Sequence, residues 1–169
     1  HKQRAEHKAI LVGRKTALLD NPSLTTRHWY GKNPLRLVID KELTLPASLK
    51  LFDGSVPTCV FTDCDKDSTE TVRYIRLDFT QPIIPQIAGY LYEQKIQSLL
   101  VEGGSRLLQS FIDSGYWDEI YVEHSRTPLQ QGVKAPLIPA GIRANFFERG
   151  GVTTAHYLSL IHISEPTRL

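Results

Sequence analysis

Short apolar runs separated by turn residues set the rhythm of this chain. Ala9–Val12 is an apolar run closed by Gly13, and Thr58–Thr62 is a second strand-length segment. Leu35–Asp40 follows the turn chemistry of Gly31-Lys32-Asn33-Pro34 and is the clearest strand. Val72–Leu77 alternates Val72, Tyr74 and Ile75 with arginines, the pattern of an exposed or edge strand. Between these, Lys15–Leu19 predicts a helical turn stopped by Asp20-Asn21-Pro22. Pro82–Gln94 carries Ile83, Ile84, Ile87 and Leu91 behind an early proline and predicts a helix. Leu99–Val101 predicts a short buried strand, Ser105–Ser114 a helix ended by Gly115, and Trp117–Glu123 a further strand. Strands alternating with helices imply an α/β domain with a mostly parallel central sheet. In such sheets ligands sit at the carboxyl ends of the strands.

The segment Leu99-Leu100-Val101-Glu102-Gly103-Gly104-Ser105-Arg106 carries the most chemistry. An acid closes a strand, two glycines follow, and Ser105 is placed to cap the helix that begins there. Glycine permits the backbone angles and close approach that such a turn needs. The helix start presents unpaired N–H groups, which suits a phosphate. An ordinary glycine turn is the bland alternative, and Glu102 at its mouth weighs against it. A second polar segment, Asp20-Asn21-Pro22-Ser23-Leu24-Thr25-Thr26-Arg27, also follows an early strand and ends in a fixed cation. Read alone it is a surface turn with a solvated arginine. Two such loops on one sheet edge would form a cleft.

Composition narrows the class. At 169 residues, with 41% hydrophobic and 22% charged, the chain suits one globular domain. A net charge of +2 with scattered Lys and Arg argues against nucleic acid. No apolar run approaches the ~18 residues of a membrane span. Two cysteines, Cys59 and Cys64, make no disulfide framework and suit a reduced, cytoplasmic setting. Cys59 is expected in the core and Cys64 in a surface loop. The six histidines do not pair at ligand spacing, so no metal is expected. The start at His1 without any methionine has the character of a fragment. Residues 158–169 resemble translated sequencing-adaptor DNA and are expected to be non-native, a genuine C-terminal strand from Tyr157 to Ile163 being the alternative.

Taken in order and spacing, four motifs resemble a known family: Gly13-x-x-Thr16-x-x-x-Asp20-x-Pro22-x-Leu24-Thr25-x-Arg27, Asn33-Pro34-x-Arg36-x-Val38-x-Asp40, Glu102-Gly103-Gly104 and Trp117-Asp118-Glu119. They look like the reductase domain of the bifunctional riboflavin-biosynthesis deaminase/reductases, over most of residues 1–140. The resemblance implies a dihydrofolate-reductase-like three-layer α/β fold. It also implies reduction of 5-amino-6-(5-phosphoribosylamino)uracil with NADPH. By position, Thr16, Asp20, Lys41 and the turn and helix start Gly103, Gly104, Ser105, Arg106 and Leu107 fall where the family holds the cofactor. Arg4, Leu24, Arg27 and Glu102 fall where it holds the small phosphorylated pyrimidine. Glu102 and Asp20 are the candidate catalytic carboxylates. Lys41, Arg14 and Lys15 could each meet a 2′-phosphate, and the sequence does not choose among them.

The departures shape further expectations. A family strand and a Ser-x-Asp-Gly motif ahead of His1 are missing, as are the zinc motifs of the deaminase half. The reductase domain is therefore expected over 1–157, lacking its N-terminal strand and leaving an exposed sheet edge. A homodimer and a deaminase domain N-terminal in the full-length protein are the expected partners. Two alternatives stay open. One is a reductase of the same superfamily acting on another pteridine or pyrimidine, which Arg4 and Arg27 speak against. The other is a non-catalytic fragment.

Overall fold

Alternate residues along each buried strand face opposite sides of a sheet, and here both sides are covered. In the computed structural model, which describes residues 1–125, 132–149 and 151–159, five strands form one parallel sheet. They are β1 (Ala9–Gly13), β2 (Leu35–Ile39), β3 (Thr58–Thr62), β4 (Val72–Arg76) and β5 (Leu99–Gly103), in the order β4-β3-β2-β1-β5. Ile10, Val12, Val38, Val60 and Val72 pack on one face with Ala17 of α2 (Arg14–Asp20), Leu24 and Leu51. Cys59 and Phe61 point to the other face. There Phe61 meets Tyr90 of α3 (Ile83–Glu93) edge-on at 5.5 Å, and α3 buries Ile84, Ile87 and Leu91. The α/β class with a parallel central sheet is borne out.

The chain divides into two compact units, His1–Leu108 and Gln109–Leu169. The first holds the parallel sheet. It opens with a helix absent from the sequence expectation, α1 (Lys2–Glu6). Five residues cannot sustain a helix alone. Contact with Gly31 helps hold this one: Gly31 has φ +137°, and a methyl group there would come 2.8 Å from the Ala5 side chain. Helix α4 (Ser105–Ser114) follows β5 and runs into the second unit. In that unit β6 (Glu119–His124), β7 (Ala144–Arg149) and β8 (Val152–Leu158) form an antiparallel sheet in the order β6-β8-β7.

Several expectations are corrected. Leu99–Val101 are half-buried rather than buried, because β5 lies at the edge of its sheet. Ser105 is the first helical residue of α4, not its cap; the Gly104 carbonyl accepts from Leu108 N–H and opens the helix. The β7–β8 hairpin went unforeseen. Leu158 closes β8 and Ser159 N–H donates to the Asp118 carbonyl at 2.8 Å, while 160–169 lie outside the described residues. Cys59 is buried and Cys64 half-buried. Among the described residues no helix is long and apolar enough to cross a membrane.

Candidate functional site

Strand order alone locates a crevice. From β1 the chain steps outward through β2, β3 and β4, then returns to place β5 on the other side of β1. A parallel sheet binds ligands at such a reversal, beyond the carboxyl ends of the two strands. Those ends are Gly13, running straight into α2, and Glu102-Gly103-Gly104, running into α4. The glycine turn singled out in the sequence and the Gly13 end of β1 therefore lie at one edge.

The ladder between these strands is irregular where the chemistry is expected. Leu11 pairs with Val101 and Val12 with Gly103, so Glu102 is left out of the register. Such a bulge re-aims a side chain and is common beside active sites. The freed carboxylate meets Arg4 of α1. Arg4 Nε and one terminal nitrogen each donate to a separate Glu102 oxygen at 2.6 Å, and the other terminal nitrogen donates to the Thr25 carbonyl at 3.2 Å. Two-pronged pairs of this kind combine charge with fixed orientation. Arg4 thus ties together α1, the end of β5 and the loop after α2.

Thr16 sits against the paired glycines. A methyl group on Gly103 would come 3.1 Å from Thr16 Cγ2, and one on Gly104 would come 3.1 Å from Thr16 Oγ1. Gly104 has φ +41°, a left-handed angle that disfavours other residues. A methyl group on Gly13 would lie 3.9 Å from Leu107, so the starts of α2 and α4 are neighbours. This turn, with Thr16, Gly103, Gly104, Ser105, Arg106 and Leu107 around it, offers backbone donors at the head of a ten-residue helix. That donor set fits a dinucleotide's pyrophosphate.

The loop after α2 is bound at several points. Asn21 adopts φ +41° at the end of α2, and its Oδ1 accepts from Lys50 N–H at 2.8 Å. Leu24 has φ +52° while its side chain is buried in the core, a strained placement for leucine. Thr26 is buried, and its N–H and hydroxyl both donate to Asn33 Oδ1 at 2.9 Å. Arg27 is exposed and forms no hydrogen bond or ion pair among the described residues. The sequence marks Asn33 as a turn residue before Pro34 but carries no signal of the side-chain contact with Thr26.

At the end of β2, Asp40 is buried and accepts from Leu45 N–H at 2.8 Å and Thr44 Oγ1 at 3.2 Å. Arg14 Nε donates to Thr44 Oγ1 at 2.5 Å and lies 3.7 Å from Asp40. The loop carrying Lys41 is shaped by this network. The Lys41 carbonyl accepts from Thr62 Oγ1 and Asp63 N–H, and its ammonium lies 5.7 Å from the Phe79 ring centroid. Asp20 is exposed on the last turn of α2, with no polar contact to the other candidates. The structure joins Arg4, Glu102 and the Thr25 loop, and joins Thr16 to Gly103-Gly104. It shows no polar contact from the side chains of Asp20 and Lys41 to either group.

Residues 1–125 match the model of the RibD C-terminal domain. The chain belongs to that family. It is 35% identical over 147 residues to the riboflavin biosynthesis protein RibD of Bacillus amyloliquefaciens, covering 82% of this chain and 39% of that protein. It is 31% identical over 132 residues to the 2,5-diamino-6-ribosylamino-4(3H)-pyrimidinone 5′-phosphate reductase of Aquifex aeolicus, covering 73% of this chain and 59% of the relative. Among solved structures, the Thermotoga maritima diaminohydroxyphosphoribosylaminopyrimidine deaminase/5-amino-6-(5-phosphoribosylamino)uracil reductase superposes with a TM-score of 0.81 at 27% identity. That match covers 94% of this chain and 47% of the other. The Saccharomyces cerevisiae riboflavin biosynthesis reductase Rib7 shares the fold, with a TM-score of 0.78 at 20% identity, covering 94% of this chain and 78% of the other. The dihydrofolate-reductase-like expectation is borne out, and the chain spans less than half the length of the RibD relatives it matches.

Proposed function

We propose that this chain is the reductase portion of a cytoplasmic riboflavin-pathway enzyme, reducing 5-amino-6-(5-phosphoribosylamino)uracil to its ribitylamino product with NADPH. The observation that carries the reading is the convergence, at one strand-order reversal, of a pyrophosphate-type turn and a bulged acid gripped by an arginine. In this reading the N-glycosidic ribose opens, its ring oxygen becoming a hydroxyl, and the resulting C1′ iminium is reduced to an amine. The nicotinamide supplies the hydride when bound. Thr16 and the Gly103–Leu107 segment hold the dinucleotide, with Lys41 and Asp20 at its margins. Glu102 faces the sugar, where its negative charge stabilises the cationic carbon before reduction. Leu24 and Arg4 shape the pocket wall. Arg27, which has no partner among the described residues, meets the 5′-phosphate through a planar fork suited to that group. A second subunit and an N-terminal deaminase domain complete the assembly.

The test has two arms. Fluorescence titration with NADPH and NADH reads dinucleotide binding, and a preference for NADPH is expected. Turnover is then measured with the phosphoribosylamino-uracil and with its 2,5-diamino pyrimidinone counterpart, the type of substrate named for the Aquifex relative. Faster reduction of the uracil supports the reading, and preference for the diamino compound reassigns the substrate. Binding of dinucleotide without turnover of either compound refutes it. Arg27→Ala is expected to weaken substrate binding by about 2–5 kcal/mol, leaving dinucleotide affinity unchanged.

A further inference from the structure

Arg27 is exposed, yet the backbone that carries it is fixed from both sides. Trp29 N–H donates to the Thr26 carbonyl at 3.1 Å, closing a four-residue turn with Arg27 at its second position. The first residue of that turn, Thr26, gives both its N–H and its hydroxyl to the single oxygen Asn33 Oδ1. Asn33 is itself stiff: it precedes Pro34, which confines its backbone to extended angles, and it leads directly into β2. The rigid sheet therefore reaches the Arg27 turn through one side-chain amide. Upstream, the buried left-handed Leu24 and the Thr25 carbonyl held by Arg4 fix the other end.

We propose that Asn33 is a positioning residue for anion recognition: it holds the Thr26–Trp29 turn so that Arg27 meets the phosphate of the substrate in a ready conformation. An arginine on a loose loop would lose backbone freedom on binding, and a preformed turn removes that cost. The inference rests on the phosphorylated-substrate reading above, and its test is arranged so that the two fail separately.

The probe is ribose 5-phosphate, followed by the intrinsic fluorescence of the chain, whose two tryptophans include Trp29 beside the turn. Asn33→Ala is expected to weaken ribose 5-phosphate binding about tenfold, with NADPH affinity unchanged. Asn33→Asp keeps an oxygen acceptor for both Thr26 donors and is expected to bind close to wild type. In an Arg27→Ala background, Asn33→Ala is expected to add no further loss, because the two act through one contact. An Asn33→Ala penalty that persists without Arg27, or an equal loss of NADPH affinity, would overturn the proposal. If Asn33→Ala fails to fold, Thr26→Val removes the hydroxyl arm alone. It should give a smaller loss that again vanishes in the Arg27→Ala background, and absence of that coupling also overturns the proposal. Failure of the wild type to bind ribose 5-phosphate overturns it whatever the reaction turns out to be. Failure of turnover with ribose 5-phosphate binding intact counts against the proposed reaction alone.

Discussion

Arg4 and Glu102, 98 positions apart in the chain, share a two-pronged ion pair with both contacts at 2.6 Å. The pair fixes where the carboxylate points before any substrate arrives. Glu102→Gln keeps the shape and removes the charge. If that charge acts on the transition state, kcat is expected to fall by about one to three orders of magnitude, with NADPH affinity retained. Steady-state kinetics with a parallel NADPH titration check it. A rise in substrate KM at unchanged kcat would make Glu102 a ground-state binding group. Arg4→Lys keeps a cation but loses the fork, so its kcat is expected to lie between wild type and Arg4→Ala.

Thr16 packs on Gly103 and Gly104 for different reasons, and substitution separates them. Gly103→Ala crowds Thr16, most closely its Cγ2 at 3.1 Å, so Thr16→Ser, which removes that methyl, is expected to recover most of the lost stability. Gly104→Ala must also hold φ +41°, at a cost of about 1–2 kcal/mol. Thr16→Ser is not expected to rescue it. Chemical denaturation of the two single and two double variants reads the difference.

The fully buried Arg36 is a structural anchor away from the site. Its guanidinium donates to Thr58 Oγ1, the Lys50 and Val56 carbonyls and Asp53. Arg36→Ala is expected to cost at least about 3 kcal/mol, because it strands buried acceptors. Asp53 is the pH-sensitive member. Hydrogen bonds from Ser55, aided by Arg36, hold its carboxyl below the ordinary value of 3.8. A carboxyl lowered in the fold stabilises it above the unfolded pKa, and that contribution is lost as pH falls through the folded value. Asp53→Asn is therefore expected to be less stable than wild type at neutral pH, with the gap closing below pH 3.8. Thermal melts across the acid range check this.

The cysteines are expected to differ in reactivity. Burial pushes the Cys59 thiol up, and burial likewise raises its neighbour Tyr90 to about 12. Cys59 stays a neutral thiol under the sheet, 3.5 Å from the Tyr90 hydroxyl. Iodoacetamide at neutral pH is expected to label Cys64 well before Cys59, as read by peptide mass spectrometry. Labelling of Cys59 at a comparable rate would mean that α3 lifts readily from the sheet.

Local signals carried much of the fold. The apolar runs at Ala9–Val12 and Thr58–Thr62 and the helical spacing of Ile84, Ile87 and Leu91 each appear where expected, because burial on one face leaves a periodic trace. The hairpin of β7 and β8 left a weaker trace. Phe146 and Phe147 are adjacent and exposed, so alternation fails there, and the cue was the Gly150-Gly151 pair, the dipeptide of a tight hairpin. The burial of Arg36 left no such trace, because its partners, Thr58 of β3 and the Lys50, Asp53 and Val56 groups ahead of it, lie 14 to 22 positions further along the chain. In the candidate site, the Gly103-Gly104 turn at the head of α4 was legible in the sequence, and the structure sets Thr16 against it. The bulge at Glu102, the Arg4 grip and the strained Leu24 depend on contacts between distant segments, which single-chain patterns do not encode.

The position of β1 between β2 and β5 also sets an order of events during synthesis. Strands β1 to β4 can pair as they emerge, each beside its predecessor, but β1 keeps an open flank until Leu99–Gly103 leaves the ribosome. Long-range parallel pairing of this kind is slow and exposes the nascent chain to aggregation. Docking of β5 closes that flank, sets the bulge, brings Glu102 to Arg4 and seats Thr16 on the glycine turn. In this protein the last strand to join the parallel sheet is therefore the one that completes the candidate site, so a chain stalled before residue 103 would hold the β1–β4 core without the Arg4–Glu102 pair or the glycine turn against Thr16.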